Sequence, residues 1–194
     1  MTMPFDAEDE LDDAALLARY AAGDAAAARQ LTLRLTPRVF AHALRLLGNR
    51  AEAEDVAQEA LIRLWRIAPE WRAGEAKVST WLYRVTANLC TDRLRRRKSV
   101  PLDDAPELPD PAQRAEDGLQ QQARASALQQ ALGALPDRQR EAVVLRHIEG
   151  LGNPEIAAIM NIGPRAVESL IARGKRALTE MLAGRRNELG YHDD

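Results

Sequence analysis

The chain has 194 residues, 46% of them apolar but only 4% aromatic, and a formal charge of −2. That length buries one sizeable core or two small ones, and an alanine- and leucine-rich composition without valine- or threonine-rich alternating runs predicts an all-α protein. The single Cys90 excludes an intramolecular disulfide, His42, His147 and His192 lack metal-ligand spacing, and no apolar run reaches membrane-spanning length, so a cytoplasmic protein without metal, cofactor, signal peptide or membrane span is expected.

The charge is segregated. Asp6, Glu8, Asp9, Glu10, Asp12 and Asp13 precede any base, which leaves the remainder net positive. Residues 1–10 read as an acidic disordered tail. A first helix is expected from Leu11 to Ala22, ending at Gly23. A second runs from Ala25 to Leu47, with a break or kink expected at Pro37 and a stop at Gly48. Asn49 with Glu52 forms a capping box for a third helix reaching Ile67. Its core stripe is Ala53, Val56, Ala57, Ala60, Leu61 and Leu64. A second face presents Asp55, Gln58, Glu59, Ile62 and Arg66, and an apolar Ile62 among polar neighbours marks a docking surface for another helix.

After a loop with Pro69 and Gly74, a fourth helix is expected from Val78 to Arg97. Val78, Trp81, Leu82, Val85 and Leu89 point inward, while Arg84, Asn88, Thr91 and Arg95 line a side suited to phosphates. Trp65 and Trp81 sit beside core positions and read as core. Trp71 in the loop and Tyr83 stay open to base stacking. The Arg93–Lys98 run (RLRRRK) and the basic stretch from Arg173 to Arg186 fit a backbone-phosphate footprint. Cys90, between Leu89 and Thr91 in a helix, reads as an unreactive, partly buried thiol.

Residues 99–118 hold four prolines (Pro101, Pro106, Pro109 and Pro111) and a strong acidic excess, which predicts a flexible exposed linker. It separates a helical domain at 11–98 from a second at 119–185, followed by a tail at 186–194. The second domain carries a helix-turn-helix pattern. Asn153 as N-cap and Pro154 open a short helix, Asn161-Ile162-Gly163 turns the chain, and Pro164 opens a longer basic helix. Val167, Leu170, Ile171, Gly174, Leu178 and Met181 form its apolar back. Arg165, Glu168, Ser169, Ala172, Arg173 and Arg176 form the opposite stripe, the geometry of a helix that reads a major groove.

Three segments in this order, AEDVAQEALIRLW at 53–65, STWLYRVTANLCTDRLRRR at 79–97 and ALPDRQREAVVLRHIEGLGNPEIAAIM at 134–160, resemble the extracytoplasmic-function (ECF) sigma factors of bacterial RNA polymerase. The resemblance implies two small helical domains and three partners: core RNA polymerase, promoter DNA and an anti-sigma factor. It implies polymerase docking by Asp55, Gln58, Glu59, Ile62 and Arg66. It assigns the −10 element and strand opening to Trp71, Lys77, Tyr83, Arg84, Asn88 and Arg95. The −35 element falls to Arg165, Glu168, Ser169, Ala172, Arg173 and Arg176. The acidic linker is similar to the family segment that threads toward the active centre and RNA exit path. Where the family often has GTVKSRL, this chain has RAVESLI; Glu168 replaces a base, and a carboxylate there accepts a hydrogen bond from a cytosine amino group. No nucleophile–base set, glycine-rich phosphate loop or metal cluster suggests an enzyme. The competing expectation, a repressor or activator with an effector domain, lacks a ligand-pocket signature in the N-terminal half.

Overall fold

A computed structural model describes the backbone of residues 7–72, 74, 76–99 and 116–183. The expected linker between Val100 and Ala115, the first six residues of the acidic tail and the 186–194 tail lie outside the described residues. Among those described, all regular structure is helical: α1 (Ala7–Ala21), α2 (Ala25–Leu47), α3 (Arg50–Ile67), a 3₁₀ turn (Ala68–Glu70), α4 (Val78–Ser99), α5 (Glu116–Ala134), α6 (Asp137–His147), α7 (Asn153–Met160) and α8 (Pro164–Ala183).

Two expected boundaries move. Ala7 to Glu10 are helical rather than part of a disordered tail, and α5 starts inside the expected linker, at Glu116.

Local chemistry explains the helix ends. Asp24 caps α2 by accepting from the Ala26 and Ala27 amides at 2.9 and 3.2 Å, and Arg19 holds the same carboxylate at 2.7 Å. Gly48 ends α2 at φ +66, a left-handed conformation that favours glycine. Asn49 caps α3 through the Glu52 amide at 3.0 Å, but the Glu52 carboxylate does not close the expected box; it pairs with Arg97 on α4. In the second half the cap shifts by one residue. Gly152 is the N-cap, its amide donating to Glu155 at 2.9 Å, and Asn153 is already helical.

Pro37 does not break α2, which runs uninterrupted for 23 residues. An interior proline costs about 3 kcal/mol. On either side of it Leu31, Leu35 and Val39 are buried, each contributing about 1.5–3 kcal/mol. Burial outweighs the missing hydrogen bond.

Among the described residues, three apolar clusters hold the fold together. The first lies within α1–α4, built on Leu16, Leu17, Leu31, Leu35, Leu64 and Leu82, with Trp65 edge-on to Tyr20 at 4.8 Å. Another fills the helix-turn-helix around Leu145, Ile156, Ile159, Met160 and Val167, and it includes Tyr83 from α4. The remaining cluster crosses between the halves, joining Ala43, Leu46, Leu47, Val56 and Cys90 to Leu132, Leu135, Val143 and Val144. The two helical units therefore pack directly on one another.

Candidate nucleic-acid and polymerase interfaces

The helix-turn-helix is built as a rigid platform. Asn161 takes φ 51 at the end of α7, the left-handed conformation that asparagine tolerates, and Pro164 starts α8. At Gly174 α8 touches α6 so closely that an added Cβ would lie 2.6 Å from Val143 Cγ2 and 3.3 Å from the Gln139 carbonyl oxygen. Val167 and Gly174 are buried, while Leu170, Ile171 and Leu178 are half-buried along the same back. Arg165, Glu168, Ser169, Ala172, Arg173 and Arg176 are all exposed, as the periodicity predicts. Arg173 is steadied by its own helix, donating to Ser169 Oγ at 2.9 Å and to the Ser169 carbonyl at 3.2 Å. Such tethering aims a guanidinium without neutralising it.

The face assigned to the −10 element is divided. Arg84, Asn88 and Arg95 are exposed on one side of α4. Trp71 is half-buried, edge-on to Trp81 at 6.1 Å, and its indole N–H is buried without an acceptor. Lys77 is exposed but paired with Glu155 of α7 at 3.1 Å. Tyr83 departs from expectation: it is 3% exposed, its hydroxyl donating to Glu149 at 2.8 Å. Burial, followed by the Glu149 charge and the hydrogen bond, raises the phenol far above its ordinary pKa, so it stays a neutral donor. In this arrangement Tyr83 cannot stack on a base.

Three cations of the Arg93–Lys98 run, the stretch expected to meet phosphates, pair within the chain, while Arg95 and Arg96 are exposed. Arg93 lies 3.3 Å from Asp55, Arg97 holds Glu52 and the Leu47 carbonyl, and Lys98 pairs with Asp137 at 2.6 Å. Carboxylates and helix-end carbonyls from α2, α3 and α6 have claimed these cations. The signal for this was the acids at Glu52, Asp55 and Asp137, which sequence distance hides.

The α3 face lines an open cleft of about 450 Å³. Asp55, Gln58, Glu59 and Ile62 form one side, and its far wall is Leu89, Asp92, Arg93 and Arg96 of α4. Arg66 is exposed one turn beyond, outside this lining. The α4 wall escaped the sequence reading because Leu89 looks like core and Arg93 like phosphate contact. Cys90 is 1% exposed and its thiol is pushed up to about 12, chiefly by burial, which makes it unreactive as expected. Among the described residues no helix is long and apolar enough to cross a membrane.

Among the described residues, an all-helical fold thus pairs an open polar-rimmed cleft on α3 and α4 with a helix-turn-helix displaying an exposed basic stripe. Residues 31–100 match sigma-70 region 2 and residues 125–178 match sigma-70 region 4. The chain is 34% identical to the ECF RNA polymerase sigma factor SigM of Mycobacterium tuberculosis over 92% of this chain and 88% of that protein. It is 40% identical to ECF sigma factor SigE of Mycolicibacterium smegmatis over 78% of this chain, and spans 60% of that relative's length. The fold is similar to that of CnrH, solved in complex with the cytosolic domain of CnrY, with a TM-score of 0.66 and 26% identity over 89% of this chain and 98% of that one. The chain belongs to the ECF sigma factors of RNA polymerase.

Proposed function

We propose that this protein is an alternative sigma factor that binds core RNA polymerase and directs initiation by reading a −35 element with α8 and a −10 element with α4 and the Trp71–Lys77 loop. The observation that carries the reading is the coexistence, on a chain matching regions 2 and 4, of an exposed Arg165/Arg173/Arg176 stripe and a separate α3–α4 groove centred on Ile62. Polymerase seats in the groove. DNA phosphates and base edges meet the stripe, with Glu168 biasing it toward cytosine.

Each module offers few phosphate contacts, so the free chain binds promoter DNA weakly at physiological salt. Core polymerase supplies the scaffold that holds the modules one to two DNA turns apart, roughly 35–70 Å. The α3–α4 groove is also where an anti-sigma factor would compete; CnrH, of similar fold, is solved bound to the cytosolic domain of CnrY. The protein acts where the polymerase acts, in the cytoplasm.

The test is transcription from a promoter library by purified core polymerase with and without this chain. Promoter-specific transcripts that require the chain are expected, and Ile62→Asp should weaken polymerase binding about tenfold by charging a desolvated contact. RNA synthesis that never responds to the added protein overturns the reading.

A further inference from the structure

Helix α8 is held at two points, and both belong to the N-terminal half of α6. One is the Gly174 contact, where a Cβ would lie 2.6 Å from Val143 Cγ2 and 3.3 Å from the Gln139 carbonyl oxygen, so α8 rests directly on α6. The other acts through α7. Arg138, the neighbour of Gln139, donates through Nη2 to the Met160 carbonyl at 3.2 Å. Met160 is the last residue of α7, and a helix end leaves its carbonyls without partners inside the helix. It is also the last helical residue before the Asn161–Gly163 turn launches α8 at Pro164. Within the turn the Ile162 amide donates back to Ala157 at 3.1 Å, and the Ala166 and Val167 amides donate to Gly163 at 2.9 and 3.2 Å. Those bonds join the turn to α7 and to α8. Arg138 joins the pair to α6.

The two points form a pivot and a stay. Gly174 lies ten residues beyond Pro164, about 15 Å along the helix. A swing of about 5° about the Gly174 contact therefore displaces the start of α8 by about 1 Å. Side chains that read a ligand by hydrogen bonds must be held within about 0.5 Å. Arg165, Glu168 and Ser169 lie toward the end that would move, whereas Arg173 and Arg176 flank the pivot.

We propose that Arg138 is a positioning residue for −35 reading: by holding the Met160 carbonyl it fixes the angle of α8 about the Gly174 contact, and with it the placement of Arg165, Glu168 and Ser169 against base edges. Its consequence at promoters rests on the sigma-factor reading. The fixed angle does not, so the experiment has two arms. Arg146 supplies the control for both. From the last turn of α6 it donates to the Leu151 carbonyl at 3.0 Å, ahead of α7. Arg146→Met thus removes the same charge and the same kind of bond at the end of α7 away from the turn.

In the first arm, spin labels at Ala134→Cys and Ala166→Cys, exposed at the end of α5 and in the first turn of α8, report the spread of distances in the full chain; buried Cys90 takes no label. Arg138→Met should widen that spread by about 1 Å or more, the swing derived above. Arg138→Lys, which keeps a donor, should restore it, and Arg146→Met should leave it narrow. If Arg138→Met loses helicity, Arg138→Ala takes its place. Equal spread in all of these chains, or equal widening by Arg146→Met, overturns the proposal.

The second arm selects promoters randomised in the −35 element, using core polymerase with each chain. Arg138→Met should lower base preference about fivefold at the positions that Arg165→Ala and Glu168→Ala also alter, the low end of what one base contact is worth. Preference at the remaining positions and binding to core polymerase should persist, and Arg138→Lys should recover the loss. A uniform loss across positions with a shallower salt dependence would make Arg138 a phosphate contact and overturn the positioning role. No promoter-specific transcripts from the unaltered chain refutes the sigma-factor reading instead, while the label distances still decide how α8 is held.

Discussion

Helices α4 and α8 both carry an apolar back and a polar, arginine-bearing front, yet they meet their surroundings differently. Every front residue assigned on α8 is exposed, and the helix rests on α6 and α7 through Val167 and Gly174 alone among its fully buried positions. On α4 the fronts are shared out: Arg84, Asn88 and Arg95 face solvent, whereas Tyr83 is enclosed and Arg93 and Arg97 serve acids on α3. A face read from helical periodicity holds when the helix packs on one side. It fails when other helices of the chain, from its own half or the second, cover the other side.

That difference can be broken most strongly at Arg140, the cation between the halves. It is 7% exposed and donates to the carbonyls of Leu46, Leu132, Gly133 and Leu135. Arg140→Met leaves these acceptors unsatisfied and should cost about 3–5 kcal/mol in urea unfolding. A loss below 1 kcal/mol would mean that water replaces the guanidinium and that the end of α2 is not held to the second half as described.

Gly174→Ala tests the α8 side of the comparison. The added methyl meets Val143 Cγ2 at 2.6 Å in a close-packed contact, so α8 must shift. Even after the helix-propensity gain of about 1 kcal/mol from glycine to alanine, a net loss of about 1–2 kcal/mol is expected. Selectivity for the −35 element should fall with it, while core-polymerase binding through α3 persists. Unchanged unfolding would show that α6 and α8 are not in this contact.

Glu141, on α6, sharpens the comparison through pH. Burial pushes its carboxyl up to about 7, against a partial opposing effect of Arg138. The folded chain thus holds this proton more tightly than the unfolded one. Its contribution is most favourable below about pH 4.5, declines as pH rises toward 7 and is a constant cost above that. Glu141→Gln should stabilise the protein by about 1–3 kcal/mol at pH 8 and flatten stability between pH 5 and 7. Parallel pH profiles for the two chains would contradict the burial.

The smallest effect is expected at Glu168, exposed on the α8 front. Glu168→Lys should change which base is preferred at one −35 position by about 1–3 kcal/mol, with little change in stability. Selection from randomised −35 sequences checks this, and an unchanged preference removes Glu168 from the readout.

Much of the fold was legible from local signals: Gly48, Asn49 and Pro164 mark helix ends through backbone chemistry that needs no tertiary partner. The helix-turn-helix and its exposed stripe were legible for the same reason. Pro37 does not break α2 because its cost is local whereas the burial that outweighs it is not. Helices α5 and α6 were not resolved individually within the second domain. On α4 a second stripe, Tyr83, Ala87, Cys90 and Leu94, was present at helical spacing and went unread. It is the stripe that packs on the second half, and it announces that α4 is covered on two sides.

What the residues settle along the chain is which segments are helical, where they stop and which faces are apolar, because caps, turns and periodicity act over one or two turns. Which cations face solvent and which meet carboxylates was decided only by tertiary packing. Arg97 meets Glu52, and Glu149 meets Tyr83, across 45 and 66 residues of sequence. Charge attraction and desolvation depend on distance in space, and no local pattern encodes that distance.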